Sequence, residues 1–448
     1  MPRHFPALYQ NIDEAYMARC LYLAELGAGT VSPNPLVGAV VLDAQGRVVG
    51  EGYHQRAGEA HAEVIALDTA GEQAKGGTLY VNLEPCNHQG RTPPCTKRII
   101  EAGIQRVVCG TLDPNPLVSG TGRDLLQNSR IEVRYGFLEA ECKRLNEIFF
   151  HYITTRMPFV TVKLGLTMDG KIANRHGESR WLTGAFSREY VHHLRQNYDA
   201  ILTTAETVLV DNPKLNVRDI PNIRKQPAKI IVDRRFRLNV DRYQIFKGET
   251  PVWILTSKAN HNPGHAKKAR SQGFKIIEVE ETGHGLDLKA AFAQLAEHEI
   301  TSIFVESGGR LASSLMSEGL ANKFYLFYAP KTLRDAMAKP AFGHAFQLEL
   351  PESPQLEIIH TRQIDQDWVI EARPYKNGRK YTGKGIPSLA EAEPGKLVPP
   401  RVAQQELQQK EQAKASPEDP ESPPVESNGK HKAKAVPEVQ AEVVSSGS

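Results

Sequence analysis

The sequence predicts an α/β chain of two units, residues 1–152 and 153–373, followed by a disordered tail over 374–448. Three observations carry this. Strand and helix signals alternate along most of the chain, the pattern of mostly parallel sheets flanked by helices. Two separate constellations of reactive residues occur, a His/Cys/Cys set before residue 100 and a strand–glycine–helix turn at 304–311. After Tyr381 there is no aromatic residue, and Pro, Glu, Lys, Gln and Ser dominate. Such a composition cannot bury enough apolar surface to offset chain entropy.

In the first unit, Asn11 is placed to cap a helix running to about Leu26, with Gly27 ending it. The runs 36–41 and 48–52 flank a turn at Asp43-Ala44-Gln45-Gly46 and read as a hairpin. A helix follows His61 and stops at Gly71. The strand 78–83 delivers Glu84-Pro85-Cys86 at its end, and a helix beginning at Cys95 leads into the strand 106–109. Strand ends beside helix starts are where α/β folds place sites. This unit therefore reads as a helix–sheet–helix sandwich.

His61-Ala62-Glu63, Pro85-Cys86 and Cys95 supply one imidazole, two thiols and a carboxylate. A zinc ion held by three protein ligands with an open fourth position activates water, and a carboxylate left off the metal can move its proton. The candidate ligands are His61, Cys86 and Cys95, with Glu63 as the catalytic acid–base. His88 is a rival to His61. This is the H-x-E, P-C…C layout of nucleobase deaminases, except that eight residues rather than two separate the cysteines. Both thiols can still face one site if Cys95 opens a helix, whose N-terminus favours a thiolate. The inserted loop carries Arg91 and Thr92, suited to a phosphate or a polar ring.

The second unit starts near Met157-Pro158. Strands are expected at 159–164, 200–203, 229–232, 252–255, 275–278 and 302–305, with helices near 185–196, 287–298 and 310–319. Two late strands, 322–329 and 366–372, are expected to pair antiparallel at the edge of a mostly parallel sheet. No G-x-G-x-x-G occurs. The better signal is Phe304-Val305-Glu306-Ser307-Gly308-Gly309-Arg310-Leu311, since N–H groups at such a helix start cradle phosphate oxygens. The same pattern also serves as plain connection geometry. Lys163 in mid-strand needs a cleft, a partner or room to snorkel. Arg234-Arg235 reads as a solvated face ahead of a contact with a nucleotide 2′-phosphate.

The formal charge of +3 offers no electrostatic case for nucleic acid or anionic lipid. Cys20, Cys109 and Cys142 sit among apolar residues and read as core. An odd total of five cysteines without a Cys-rich framework suits a reducing compartment. The start Met1-Pro2-Arg3-His4-Phe5-Pro6 lacks an apolar leader, and no apolar run reaches membrane-spanning length, so the expected location is the cytoplasm. The expected partner is a small-molecule substrate, with no nucleic acid and no membrane. Assembly into a homo-oligomer is left open.

Residues 34–122 resemble the deaminase half of the bifunctional riboflavin-biosynthesis deaminase-reductases. The resemblance rests on Asn34-Pro35-Leu36-Val37-Gly38-Ala39-Val40, the stretch Gly52 to Glu59, His61-Ala62-Glu63-Val64, Leu83-Glu84-Pro85-Cys86, Gly90-Arg91-Thr92-Pro93-Pro94-Cys95 and Asp113-Pro114-Asn115-Pro116. Residues 156–320 resemble the reductase half through the stretch Val162 to Ala173, Gly177-Glu178-Ser179-Arg180-Trp181-Leu182-Thr183, Thr207 to Pro213, Leu215-Asn216-Val217-Arg218 and the Glu306 turn. The resemblance implies an N-terminal cytidine-deaminase-like α/β/α sandwich and a C-terminal dihydrofolate-reductase-like α/β domain. It implies Zn²⁺ and NADPH as cofactors and a diaminopyrimidinone carrying ribosylamine 5′-phosphate as substrate. It further implies that Asn34, His54 and Arg91 grip the pyrimidine or its phosphate. Lys163, Ser179, Arg195, Leu215, Arg218 and Glu306 would hold the ribosyl substrate. Gly165, Trp181, Thr207, Asp211, Gly308, Gly309, Arg310 and Leu311 would hold NADPH. One stretch departs from the family: Thr332-Leu333-Arg334-Asp335 replaces a glycine-rich continuation, and the loop over 332–343 is short. That departure motivates an alternative, an active deaminase joined to a degenerate, non-catalytic reductase-like binding domain.

Overall fold

The computed structural model describes residues 11–89, 93–115, 119–259, 261–283, 285–343 and 353–375. The expected tail lies outside the described residues, apart from Pro374 and Tyr375.

The first unit opens with α1 (Ile12–Glu25), capped by the Asn11 side chain accepting from the Glu14 N–H at 3.0 Å. Then come β1 (Gly38–Leu42), β2 (Val48–Tyr53), α2 (Ala62–Ala70), β3 (Thr78–Val81), α3 (Cys95–Glu101), β4 (Arg106–Cys109), α4 (Thr121–Asn128), β5 (Glu132–Tyr135) and α5 (Glu139–Leu145). The strands pair in the order β2-β1-β3-β4-β5, antiparallel around β1 and parallel from β3 to β5. Strict alternation fills both faces. Ala39, Val41, Leu79, Val81 and Val107 pack beneath Ala66, Leu67 and Ile99 of α2 and α3. Val40, Leu42, Tyr80 and Val108 pack beneath Met17, Cys20 and Leu21 of α1, with Cys142 of α5. The expected three-layer sandwich is present, and Cys20, Cys109 and Cys142 are buried. Gly50 and Gly52 let α2 lie directly on β2. A Cβ at either position would come within 2.1 Å of the Ala66 carbonyl or 2.6 Å of the Ala62 carbonyl.

α6 (Glu147–Thr155) runs through the expected 152/153 boundary. The second unit continues with β6 (Phe159–Thr167), β7 (Lys171–Ala173), α7 (Ala185–Arg195), β8 (Ala200–Thr204), α8 (Ala205–Asp211), β9 (Ala228–Val232), β10 (Val252–Ser257), α9 (Pro263–Ser271) and β11 (Lys275–Val279). A two-residue pair, β12 (Glu281–Thr282) with β13 (Gly285–Leu286), precedes α10 (Leu288–Glu297), β14 (Ser302–Glu306), α11 (Gly309–Ser317), β15 (Lys323–Ala329), β16 (Lys339–Pro340), β17 (Leu356–Ile364) and β18 (Asp367–Pro374). The sheet order is β11-β10-β9-β8-β14-β6-β15-β18-β17, parallel from β11 to β15. β15 and β18 do pair antiparallel, but not at the edge. The edge is β17, which the sequence reading omits because its alternation is weak and its residues stay half-exposed, Ile358 among them.

Two polar clusters join the halves. The Asp199 carboxylate accepts from Ser32 Oγ at 2.8 Å, Thr301 Oγ1 at 2.7 Å and Lys225 Nζ at 2.9 Å. Lys323 on β15, 1% exposed, meets Glu147 of α6 and Glu371 of β18, while Arg373 also pairs with Glu147. Removing one member of a buried ionic cluster strands the others. Lys323→Ala should therefore cost about 3–5 kcal/mol in urea unfolding, since both carboxylates lose its ammonium.

Candidate active sites

His61 precedes α2 as its N-cap, Cys86 follows β3, and Cys95 is the first residue of α3. One imidazole nitrogen and two sulfurs thereby converge. His61 Nδ1 stands 3.2 Å from Cys95 Sγ and 3.5 Å from Cys86 Sγ, and the three ligand atoms lie within 4.8 Å of one another. The Cys95 N–H points at Cys86 Sγ from 3.4 Å. A hydrogen bond from the Cys95 thiol, with help from His61, draws the Cys86 thiol down to about 4 despite its burial. Sharing with Cys86, together with burial, pushes Cys95 up. Such a crowd of acceptors fits a zinc ion, which takes two sulfurs and one ring nitrogen in tetrahedral sites and keeps a fourth position open for catalysis.

Glu63 stands in the first turn of α2, 3% exposed, and its Oε2 has no hydrogen-bond partner among the described residues. Burial raises its pKa, with His61 opposing. A buried carboxylate oxygen without a partner normally requires explanation. His88 is exposed and is not one of the three residues whose ligand atoms converge, whereas His61 is. His54 is buried, its Nδ1 donating to the Ala60 carbonyl and its Nε2 accepting from Asn34 Nδ2, both at 3.0 Å. Its ring meets that of His61 edge-on at 5.4 Å. Arg91 lies outside the described residues.

One residue the sequence reading passed over is Glu84. Its carboxylate accepts the N–H groups of Asp113, Gly120 and Arg123 at 3.0–3.2 Å, fastening those three residues beside Pro85-Cys86. Its place directly before Pro85-Cys86 was the available signal.

The second site is a cavity of about 1480 Å³. It is lined by all fourteen reductase-half residues named from the resemblance: Lys163, Gly165, Ser179, Trp181, Arg195, Thr207, Asp211, Leu215, Arg218, Glu306 and Gly308 to Leu311. Lys163 and Glu306 face each other from adjacent parallel strands, in register. Burial pulls the Lys163 pKa down, opposed by Glu306. Glu306 is mostly but not fully buried, and Arg195 and Lys163 hold its carboxyl below the usual range. Arg195 gives Nε and Nη2 to the two Glu306 oxygens at 2.5 and 3.0 Å and Nη1 to the Asn216 carbonyl at 2.8 Å. So many commitments make Arg195 the group that orients Glu306, and leave Arg218, which is exposed, freer to reach a ligand.

His192 was missed. Three residues before Arg195 on α7, it shares that helix face. Its Nδ1 stands 3.3 Å from both Arg195 Nη1 and the Arg218 N–H, and burial with two neighbouring arginines lowers its pKa to about 4. It is a neutral acceptor that fixes both arginines.

Trp181 is 67% exposed, with the Arg188 guanidinium 4.4 Å over its ring, so it is no core aromatic. A Cβ on Gly308 would meet nothing within 4 Å, and Ser307 Oγ is buried without a partner among the described residues. With the N-terminus of α11 beside them, these groups suit the phosphates of a dinucleotide. Arg234 and Arg235 are exposed and line the cavity, with Arg234 also paired to Glu281 at 3.4 Å. Gly309 leaves no space: a Cβ there would stand 2.5 Å from the Pro340 carbonyl and 2.6 Å from that of Ala341. Gly309→Ala should cost about 1–3 kcal/mol through overpacking and weaken NADPH binding, read by calorimetric titration.

The divergent 332–343 segment is held firmly. The Asp169 carboxylate accepts the Leu333 and Arg334 N–H groups at 3.2 and 2.9 Å, Arg175 grips Asp335 bidentately at 2.8 Å, and Lys339 pairs with Ala173. Lys339, Pro340 and Gly343 then form part of the cavity rim. Its departure from the family pattern has not dismantled the reductase site.

Among the described residues, no helix is long and apolar enough to cross a membrane. Residues 10–111 match the model of the cytidine and deoxycytidylate deaminase zinc-binding region, and residues 158–370 match that of the RibD C-terminal domain. The chain is 41% identical to the riboflavin biosynthesis protein RibD of Aquifex aeolicus over 368 residues, 82% of this chain and 100% of that one. It is 40% identical to RibD of Escherichia coli K12, over 79% of this chain and 97% of that one. Among solved structures, Acinetobacter baumannii RibD superposes with a TM-score of 0.74 at 35% identity, covering 81% of this chain and 99% of that one. The diaminohydroxyphosphoribosylaminopyrimidine deaminase/5-amino-6-(5-phosphoribosylamino)uracil reductase of Thermotoga maritima gives 0.71 at 36% identity, over 81% and 99%. With a thiol–imidazole centre in one half, a large dinucleotide-sized cavity in the other, and relatives matched along nearly their whole length, this chain belongs to the RibD family of riboflavin biosynthesis proteins.

Proposed function

We propose that residues 1–152 deaminate 2,5-diamino-6-ribosylamino-4(3H)-pyrimidinone 5′-phosphate hydrolytically, and that residues 153–373 reduce the ribosyl side chain of the product to ribityl with NADPH. The observation that carries the first step is the convergence of His61, Cys86 and Cys95 beside the unpartnered Oε2 of Glu63. Zinc held by those three side chains supplies the Lewis acidity that makes water a nucleophile near neutral pH. Glu63 Oε2 takes one proton from the attacking water as its oxygen bonds to the amine-bearing ring carbon and passes that proton to the amino nitrogen; the C–N bond breaks, ammonia leaves, and the second water proton ends on a ring nitrogen as the carbon becomes a carbonyl. Asn34 holds the pyrimidine through its amide. His54, kept in one tautomer by the Ala60 carbonyl, holds Asn34.

In the second half, bound NADPH supplies the reducing equivalent. The residues' work is alignment, bringing donor and acceptor carbon into contact in one orientation. Lys163 and Glu306 meet the ribosyl chain, Arg195 and His192 keep Glu306 and Arg218 in position, and Arg218 meets the 5′-phosphate. Gly165, Trp181, Thr207, Asp211 and the Gly308–Leu311 turn receive the cofactor. All five cysteines are free, which suits a cytoplasmic setting. The test is to incubate the purified protein with the diaminopyrimidinone phosphate, with and without NADPH, and follow ammonia and cofactor absorbance. Ammonia should appear in both arms and NADPH oxidation only after it. NADPH oxidation without prior ammonia release would contradict the assigned order.

A further inference from the structure

A second cavity, of about 530 Å³, lies apart from both sites. It gathers four cationic side chains, Lys214, Lys229, Arg242 and Lys247, with the amides of Asn212 and Asn216, and no Asp or Glu lines it. Among the described residues, none of the four cations pairs with a carboxylate. Lys229 is the unusual one. On β9 and only 3% exposed, it donates to the Ile245 and Lys247 carbonyls at 2.8 and 3.2 Å. An ammonium has three N–H donors, so one remains. Burial lowers its pKa, with no anion to offset the cost. A buried cation facing a cavity rimmed by further cations is expensive unless an anion joins it.

The cavity also shares a wall with the reductase site. Along 211–216, alternate residues face opposite ways. Asp211, Pro213 and Leu215 line the large cavity, whereas Asn212, Lys214 and Asn216 line the basic one. Asn216 touches both sides, its carbonyl accepting from Arg195 and its Oδ1 from Arg218 at 3.0 Å. Asn212 Oδ1 accepts the Gln244 N–H at 2.8 Å, tying the wall to the loop that carries Lys247.

We propose that this basic cavity is a binding site for a small phosphate-bearing polyanion, and that its occupancy stiffens segment 211–218, the wall it shares with the reductase cavity. Phosphate oxygens accept charge-assisted hydrogen bonds from ammonium and guanidinium groups, and the affinity falls as salt rises. The binding claim is independent of the reductase assignment. The test uses the full zinc-loaded chain with saturating NADPH present, titrated with inorganic pyrophosphate by calorimetry. One saturable site per chain is expected, weakened at least tenfold in K214E/K247E. Both substituted residues are exposed, so that variant should keep the wild-type melting temperature. Lys229→Met should abolish binding. Hydrogen exchange over 211–218 should slow with pyrophosphate in the wild type and not in K214E/K247E. Absence of saturable binding, unchanged affinity in the double variant, or displacement of pyrophosphate by NADPH would each overturn the site. Unchanged exchange over 211–218 despite binding would overturn the coupling.

Discussion

Glu63→Gln should retain zinc yet lose ammonia release by roughly 10²–10⁴-fold, the usual span for removing a positioned general acid–base group. The substitution keeps the side chain's size inside a buried site, so neither α2 nor the placement of His61 should change. What disappears is an oxygen able to hold a proton. Metal content by elemental analysis and ammonia by a coupled assay separate the two effects. Because Glu63 belongs to the first sheet's helix layer, NADPH oxidation on already deaminated substrate should stay within about twofold. Full deamination by this variant would remove Glu63 from the reaction.

Lys163→Ala should produce the mirror image, with reduction falling by about 10²-fold or more, a loss of alignment and electrostatics together, while ammonia release persists. The lysine stands on β6 opposite Glu306 on β14, in register. Its removal takes one of the two cations that hold Glu306 ionised, but Arg195 remains bidentate on that carboxylate, so the sheet should survive. A thermal melt checks the fold, and ammonia and NADPH followed in one reaction check the split. Simultaneous loss of both activities would argue against two independent sites.

The zinc set could be read from the chain because its geometry is local. A helix start at His61, a strand end at Cys86 and a helix start at Cys95 are each signalled by neighbouring residues, and strand-end placement brings them together. Even the eight-residue spacing of the cysteines was legible, since Cys95 needed only to open a helix. The reductase site was less so. From the residues alone, Lys163 and the Gly308-Gly309 turn had equally good ordinary explanations, and the resemblance decided between them. His192 escaped because a histidine pair on a helix has no signature until the Arg195 and Glu306 contacts are known. The edge strand β17 escaped because half-exposed strands blur the period of two. The 332–343 segment read as damage in sequence and proved to be a hydrogen-bonded part of the cavity rim, anchored by Asp169 and Arg175. Pattern comparison registers a lost glycine, whereas a replaced turn can be refastened by other polar groups.

The most direct measurement is X-ray absorption at the zinc edge on the full-length, zinc-loaded chain. The account predicts one zinc per chain with two sulfur ligands at about 2.3 Å and two nitrogen or oxygen ligands at about 2.0–2.1 Å. Cys95→Ser should leave a single sulfur. A shell without sulfur, or one unchanged in Cys95→Ser, would contradict it.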